Sequence, residues 1–308
     1  MIDYALHHEP VSDLVRSPDT REGWEALALG PERVANFERD GFLCGIRVFD
    51  ETQVERLRAD LARLAGPKPP GRDLFYEYHA NESQDPTTCL FHALGAWRTS
   101  PLFHDVLWAP VLRIVCHQLL GGKPIRFLHD QLFCKPAGHG GVVAWHQDYS
   151  YWTWTAPMAH LTCWIALDDV DEDNGCLWYV PGSHTWPDLP VTGLTGDMDA
   201  VREVLNSSQL ADFEERVPIR LKRGQAAFHH PRTLHGSFAN TSDRPRRATL
   251  VNVVRDGVCS AIGPDDPDDI ASRYHTPPHG EPLNGTFYPL LFDPQELGVE
   301  FPGTAIDE

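Results

Sequence analysis

Basic charge is scarce in this sequence: 26 Lys and Arg face 44 Asp and Glu, for a formal net charge of −18. Binding nucleic acid or an anionic membrane requires clustered cations that displace counterions, so neither partner is expected. No stretch approaches the roughly 18 consecutive apolar residues of a membrane span. The opening Met1-Ile2-Asp3-Tyr4 has no basic region followed by an apolar run, so a cytoplasmic protein is expected. The seven cysteines (Cys44, Cys89, Cys116, Cys134, Cys163, Cys176, Cys259) are odd in number, scattered, and form no Cys-x-x-Cys pair. That pattern argues for reduced thiols and against a disulfide framework or a zinc ribbon. Internal repeats and low-complexity tracts are also missing.

What is present suffices for a folded core. A chain of 308 residues at 42% hydrophobic and 10% aromatic buries a full core without staples. One domain is expected, with a helical N-terminal part over about 20–120, a strand-rich core over about 123–255 and a C-terminal extension over 256–308. Pro31 opens a short helix over 31–40 with Val34 and Phe37 on one face, and Gly41 ends it. A strand follows from Phe42 to Phe49. The segment 51–65 then places Val54, Leu57, Leu61 and Leu64 at helical spacing. Residues 66–100, with Pro67, Pro69, Pro70, Phe75, Tyr76 and Tyr78 but no period, read as a long ordered loop or lid. A second helical stretch over about 101–120 ends at Gly121-Gly122.

From 124 onward short apolar or alternating runs appear at 124–134, 141–146, 160–167, 176–180, 217–222, 225–229 and 248–254, separated by turn residues. Helices followed by strands without βαβ alternation predict an α+β protein built on a jelly roll.

The residues that carry chemistry begin at Trp145-His146-Gln147-Asp148. Side chains alternate along a strand, so a His-x-Asp spacing points both groups the same way. His235 in Thr233-Leu234-His235-Gly236-Ser237 is the leading candidate for a third ligand, with His229 and His230 as rivals. Two histidines and one carboxylate leave coordination positions open, as an oxygen-activating iron site requires. Ser237, Asn240, Ser242, Arg244, Arg246 and Arg247 follow in a compact segment, and an arginine on the next strand suits the distal carboxylate of a dicarboxylic co-substrate.

In these motifs the sequence resembles the phytanoyl-CoA dioxygenase family of iron(II)- and 2-oxoglutarate-dependent oxygenases, from about Asp40-Gly41-Phe42 to Val253. Lys135-Pro136 with Trp145-His146-Gln147-Asp148 is similar to one block, and Leu167-Asp168-Asp169 through Asn174-Gly175 to Val180-Pro181-Gly182-Ser183-His184 to a second. His235-Gly236-Ser237, Asn240, Ser242 and Arg246-Arg247 resemble a third. The resemblance implies a double-stranded β-helix of cupin-like type with N-terminal and flanking helices. It implies iron at His146, Asp148 and His235, 2-oxoglutarate at Arg246, Ser237, Thr162 and Lys135, with Gln131 a further candidate, and O2 as the oxidant. Hydroxylation of a C–H bond is then expected rather than halogenation, because the family's halogenases carry a small residue where Asp148 stands. The alternatives are a zinc- or manganese-dependent isomerase or hydrolase on the same three ligands, an acyl-CoA hydroxylase like the family's namesake, and a non-catalytic binding protein. Residues 66–100, 185–216 and 258–308 match no motif, so substrate choice is expected to reside there.

Other features read more plainly. The cluster Tyr149, Tyr151, Trp152 and Trp154 reads as core packing or as a substrate wall, with Trp152, Tyr149 and Tyr76 the candidates for the wall. The acidic run from Asp168 to Asn174 departs from a calcium loop and reads as a solvated turn. Pro181-Gly182-Ser183-His184 lacks a hydrolase elbow, and Gly138, Gly140 and Gly141 lack the Lys of a phosphate loop. The acidic balance, including Asp265, Asp266, Asp268 and Asp269, favours a free small molecule, uncharged or cationic, over a coenzyme A thioester. A monomer or small homo-oligomer is expected.

Overall fold

The computed structural model describes residues 2–263 and 272–297, so the acidic run 265–269 lies outside the described residues. The helices include α1 (Arg21–Glu25), α2 (Pro31–Asp40), α3 (Glu51–Leu64), α4 (Ala96–Thr99), α5 (Pro101–Val106), α6 (Pro110–Leu119), α7 (Ser207–Glu214) and α8 (Pro294–Leu297). Helix α2 ends where the spacing predicts, at Gly41 with φ 80°, a left-handed conformation that glycine adopts without strain. Asp50 and Gln53 close a capping box on α3, and its apolar stripe, Val54, Leu57, Leu61 and Leu64, is wholly buried. At about 1.5–3 kcal/mol for each such side chain, the stripe outweighs the modest propensity of the exposed face. The single helix expected over 101–120 is two, because Pro110 cannot sit inside a helix and instead opens α6.

The strands are β1 (Phe42–Arg47), β2 (Glu77–His79), β3 (Phe91–Leu94), β4 (Ile125–Lys135), β5 (Val143–His146), β6 (Thr155–Ala156), β7 (His160–Ala166), β8 (Leu177–Tyr179), β9 (Val217–Pro218), β10 (Gln225–His229), β11 (His235–Ser237), β12 (Arg246–Arg255), β13 (Cys259–Ser260) and β14 (Leu290–Phe292). All the pairings between them are antiparallel. The large sheet runs β1-β10-β7-β12-β4-β3-β2, with β14 also on β4; the small one runs β5-β11-β8-β9. The expected loop over 66–100 is corrected here. It contains β2 and β3, which extend the large sheet and are too short to show a period in the sequence. The run 217–222 likewise shrinks to Val217–Pro218.

Alternation divides the large sheet into two faces. Leu161, Cys163, Ile165, Phe228, Val251 and Val253 share a core with the helices. Trp164, Ala166, Ala227, Ala248 and Leu250 pack instead with Leu177 and Tyr179 of the small sheet. Strand β7 is buried along its whole length, as a central strand covered on both faces must be. Among the described residues no helix is long and apolar enough to cross a membrane.

Candidate metal centre and its cavity

Two neighbouring strands carry the histidines. In the β11–β5 pairing His235 lies directly opposite His146, with ring centroids 4.2 Å apart. Asp148 is not on the strand: β5 stops at His146, and Asp148 opens a 3-10 turn. Gln147 between them is still extended (φ −103°, ψ 132°), and that one residue returns Asp148 to the side of His146. The Gln147 amide points the other way, donating to Arg232 O at 2.9 Å and accepting from Leu189 N at 2.8 Å.

Asp148 Oδ1 lies 3.4 Å from His146 Nε2 and 3.7 Å from His235 Nε2, and the three ligand atoms fall within 4.8 Å of one another. His146 Nδ1 donates to Ala144 O at 2.8 Å, and His235 Nδ1 donates to Thr233 O at 2.9 Å. These bonds keep the ring protons on Nδ1 and turn the bare Nε2 lone pairs toward a carboxylate. Burial, reinforced by the rings of His146 and His229, pulls His235 well below the ordinary histidine value, so the ring is neutral. Lone pairs facing an anion repel unless a cation sits between them, so this donor set fits a metal ion, and its composition suits iron(II).

The rival His229 has a different place. Its Nε2 lies 3.0 Å from Asp148 Oδ2 while Nδ1 meets the Tyr179 hydroxyl at 2.8 Å. Thr162 Oγ1 also reaches Asp148 Oδ2, at 2.8 Å. Both therefore orient the carboxylate. His230 is turned away, its Nδ1 accepting from Arg232 N at 3.1 Å and its ring against His184.

A second feature is a pair of buried cations. Arg246 and Lys135 face each other across β12 and β4; they are 1% and 0% exposed. Lys135 Nζ donates to Ser237 Oγ at 2.7 Å, Ser237 O at 3.1 Å and Phe238 O at 2.6 Å. Arg246 donates through Nε to Gly175 O at 3.0 Å and through Nη2 to Ser237 Oγ at 3.1 Å, with its guanidinium 5.2 Å from the Trp164 ring. Gly175 has φ 80°, and a Cβ there would meet Phe238 O at 2.6 Å, so the carbonyl's position depends on glycine. Burial, and then the charge of Arg246, pulls Lys135 well below its ordinary value, while burial brings Arg246 down to about 10. No carboxylate forms an ion pair with either among the described residues, and an uncompensated buried charge costs several kcal/mol. An anionic ligand removes that cost. Ser237 Oγ accepts from both cations, so its own proton remains to be donated into the cavity.

Strand alternation singles out Arg246 among its neighbours. Arg247 turns outward onto Asp168 (2.9 and 2.7 Å), and Arg244 pairs with Asp171 at 2.8 Å on the surface. Asp168 is thereby buried, which corrects the reading of the whole acidic run as a solvated turn.

Metal ligands and Arg246 open onto one cavity of about 430 Å³, lined also by Ser237, Gln131 and Trp152. Thr162 acts on it through Asp148. Tyr149 and Tyr76 do not line it: Tyr149 donates to Thr155 O at 3.1 Å, and the Tyr76 hydroxyl accepts from Trp97 Nε1 at 3.2 Å. Proximity in sequence to Asp148 misled for Tyr149, because the 3-10 turn carries its ring away. Tyr151 and Trp154 of the same aromatic cluster do line the cavity, whereas sequence reasoning missed His129, Glu77, Glu82, His92 and Tyr274. For His129 a signal existed, since it shares a face of β4 with Gln131, Phe133 and Lys135. Glu77, Glu82 and His92 had none, because only the sheet pairing brings them there. Each of the three unassigned segments reaches the cavity, through Glu82 and His92, through Leu194 and Thr195, and through Arg273 and Tyr274.

The family model for phytanoyl-CoA dioxygenase matches residues 37–248, more than half of the chain. Phytanoyl-CoA dioxygenase domain-containing protein 1 of Danio rerio is 34% identical over 173 residues, 53% of this chain and 55% of its own length. The chain thus spans about half the length of such relatives. Ectoine dioxygenase of Bordetella bronchiseptica is 28% identical over 240 residues, 73% of this chain and 75% of that protein. Among solved structures, the non-heme alpha ketoglutarate dependent carbocyclase SnoK from nogalamycin biosynthesis superposes with a TM-score of 0.68 at 26% identity, covering 90% of this chain and 100% of that one.

Proposed function

The chain belongs to the phytanoyl-CoA dioxygenase family, and from that premise we propose that it is an iron(II)- and 2-oxoglutarate-dependent oxygenase hydroxylating a C–H bond of a free small molecule. The single observation that carries the reading is a pair of buried cations with no carboxylate partner among the described residues, Arg246 lining the cavity beside the His146, Asp148 and His235 donor set and Lys135 behind it. The balanced reaction consumes substrate R–H, O2 and 2-oxoglutarate and yields R–OH, succinate and CO2, with one oxygen atom entering each organic product. A ferrous ion at the three donors supplies the redox chemistry that activates O2.

The chain's own residues supply positioning. Arg246 receives the distal carboxylate of 2-oxoglutarate through paired charge-assisted hydrogen bonds, Ser237 donates its free proton to the same group, and Lys135 adds a second charge behind it. Thr162 and His229 keep Asp148 Oδ2 occupied so that Oδ1 alone faces the histidines. Trp152, Trp154 and Tyr151 wall the cavity and exclude water from the oxidation. We read the two facing sheets as a double-stranded β-helix forming one oxygenase domain with its helices. A zinc or manganese hydrolase or isomerase on the same donors would leave the cations without a ligand. A coenzyme A thioester is disfavoured, because the arginine that lines the far wall among the described residues, Arg273, is already paired with Glu77 at 2.5 Å.

Succinate release and bound iron per chain test the reading. His235→Ala is expected to abolish both iron retention and turnover, whereas His230→Ala keeps them. Retained turnover in the first with loss in the second would move the third ligand to His230.

A further inference from the structure

Thr162 Oγ1 lies 2.8 Å from Asp148 Oδ2 and 2.7 Å from Asn252 Oδ1. A hydroxyl has one proton, and an ionised carboxylate only accepts, so the Thr162 proton goes to Asp148. The Asn252 atom facing Thr162 must then be a donor. Amide oxygen and nitrogen are assigned from their partners, and here the partners require the NH2 to face Thr162. The other amide position, 3.2 Å from His129 Nδ1, is therefore the oxygen, and His129 carries its proton on Nδ1. Nε2 of His129 is left with a bare lone pair. That atom has no hydrogen-bond partner, its side chain is 1% exposed, and the residue lines the cavity. A buried acceptor without a donor is costly, and a ligand that donates there removes the cost.

Glu82 points to the same ligand chemistry from an independent element. Glu77 on the same wall is compensated by Arg273 and by the Tyr274 hydroxyl at 3.1 Å. Glu82 lacks such a partner: it faces His92, whose Nδ1 lies 2.8 Å from Oε2, and beyond it the ring of His79. Trp152 stands edge-on to His129 with centroids 4.9 Å apart, and Trp154 stacks on Tyr274. This wall thus sets the lone pair of His129 and a carboxylate with no Lys or Arg partner, Glu82, among aromatic rings. A hydroxyl would satisfy the lone pair but not the charge, whereas an ammonium satisfies both and is favoured by the rings.

We propose that the substrate carries a protonated amine, received at the far wall of the cavity by His129 Nε2 and Glu82, with the C–H bond to be oxidised lying between that amine and the metal. This deepens the proposed function and rests on its placing of the metal. His129 and Lys135 are six residues apart on β4, about 20 Å at 3.3 Å per residue, so the amine and the 2-oxoglutarate carboxylate occupy opposite ends.

Anaerobic equilibrium dialysis of the Fe(II)-loaded protein against phenethylamine, cyclohexylmethylamine and their N-acetyl counterparts, with and without 2-oxoglutarate, tests it. Each amine is expected to bind about ten-fold more tightly than its acetamide, as a charge-assisted hydrogen bond implies. Glu82→Gln should abolish that preference. His129→Phe should weaken the amine several-fold and His129→Gln, which keeps an acceptor, by less, all three leaving 2-oxoglutarate affinity unchanged. Equal binding, preference for the acetamides, binding of neither, or an undiminished preference in Glu82→Gln overturns the assignment. If 2-oxoglutarate fails to bind while the amine preference persists, the co-substrate reading falls and the amine site stands.

Discussion

The two ends of the cavity are built in opposite ways. The cationic end is made by side chains of paired strands, Lys135 on β4, Arg246 on β12 and Ser237 on β11, none more than 1% exposed. The far wall draws on three-residue β2, on the residues beyond it and on Arg273 and Tyr274, and its carboxylates are partly exposed. An interior strand holds a side chain in place through ladder bonds on both sides, which suits a co-substrate whose position must not vary. Short strands and loops tolerate change at little cost to the core, which suits a wall that selects one substrate. Under the proposed function, the difference predicts that co-substrate and substrate recognition are separable.

The largest effect should come from breaking the cationic end. Arg246→Ala is expected to weaken 2-oxoglutarate by tens of fold or more, read from the co-substrate dependence of succinate release. Arg247→Ala, one residue away, should leave that dependence intact and instead lower stability by about 1.5–3 kcal/mol through loss of the Asp168 pair, seen in denaturant unfolding. Equal effects of the two would mean that strand alternation does not separate them. A smaller change sharpens the middle of the cavity. Thr162→Val removes a hydrogen bond to Asp148 while keeping shape, and should lower iron affinity about ten-fold with 2-oxoglutarate affinity at saturating iron unchanged. The smallest effect is expected outside the cavity: Tyr149→Phe should alter kcat/KM by less than about two-fold, and a larger loss would place that ring in the substrate's path.

Much of the cationic end was legible beforehand. A long strand such as β12 announces itself by composition, and within it the alternation of Arg246 and Arg247 follows from the pleat. The motif around His146 also named residues that the structure brings together, although for a partly mistaken reason, since Asp148 reaches the site from a turn. The far wall was illegible because a three-residue strand has no period and its faces are defined only by its neighbours. Tyr76 and Tyr149 looked apt by composition, but which way a ring points is set by hydrogen bonds to Trp97 and Thr155 that no local pattern encodes.

By itself, then, the sequence determined the long elements and the acidic net charge, and its motifs named His146, Asp148 and His235, which the structure brings within 4.8 Å of one another, because periodicity, charge and motif spacing are local properties. Tertiary structure alone decided that His229 meets Asp148 Oδ2 rather than joining the donors, that Lys135 and Arg246 are buried with no acid partner among the described residues, and that His129 Nε2 has no hydrogen-bond partner. Those outcomes depend on which groups meet across strands distant in the chain, and on whether a buried charge or polar atom finds its partner there.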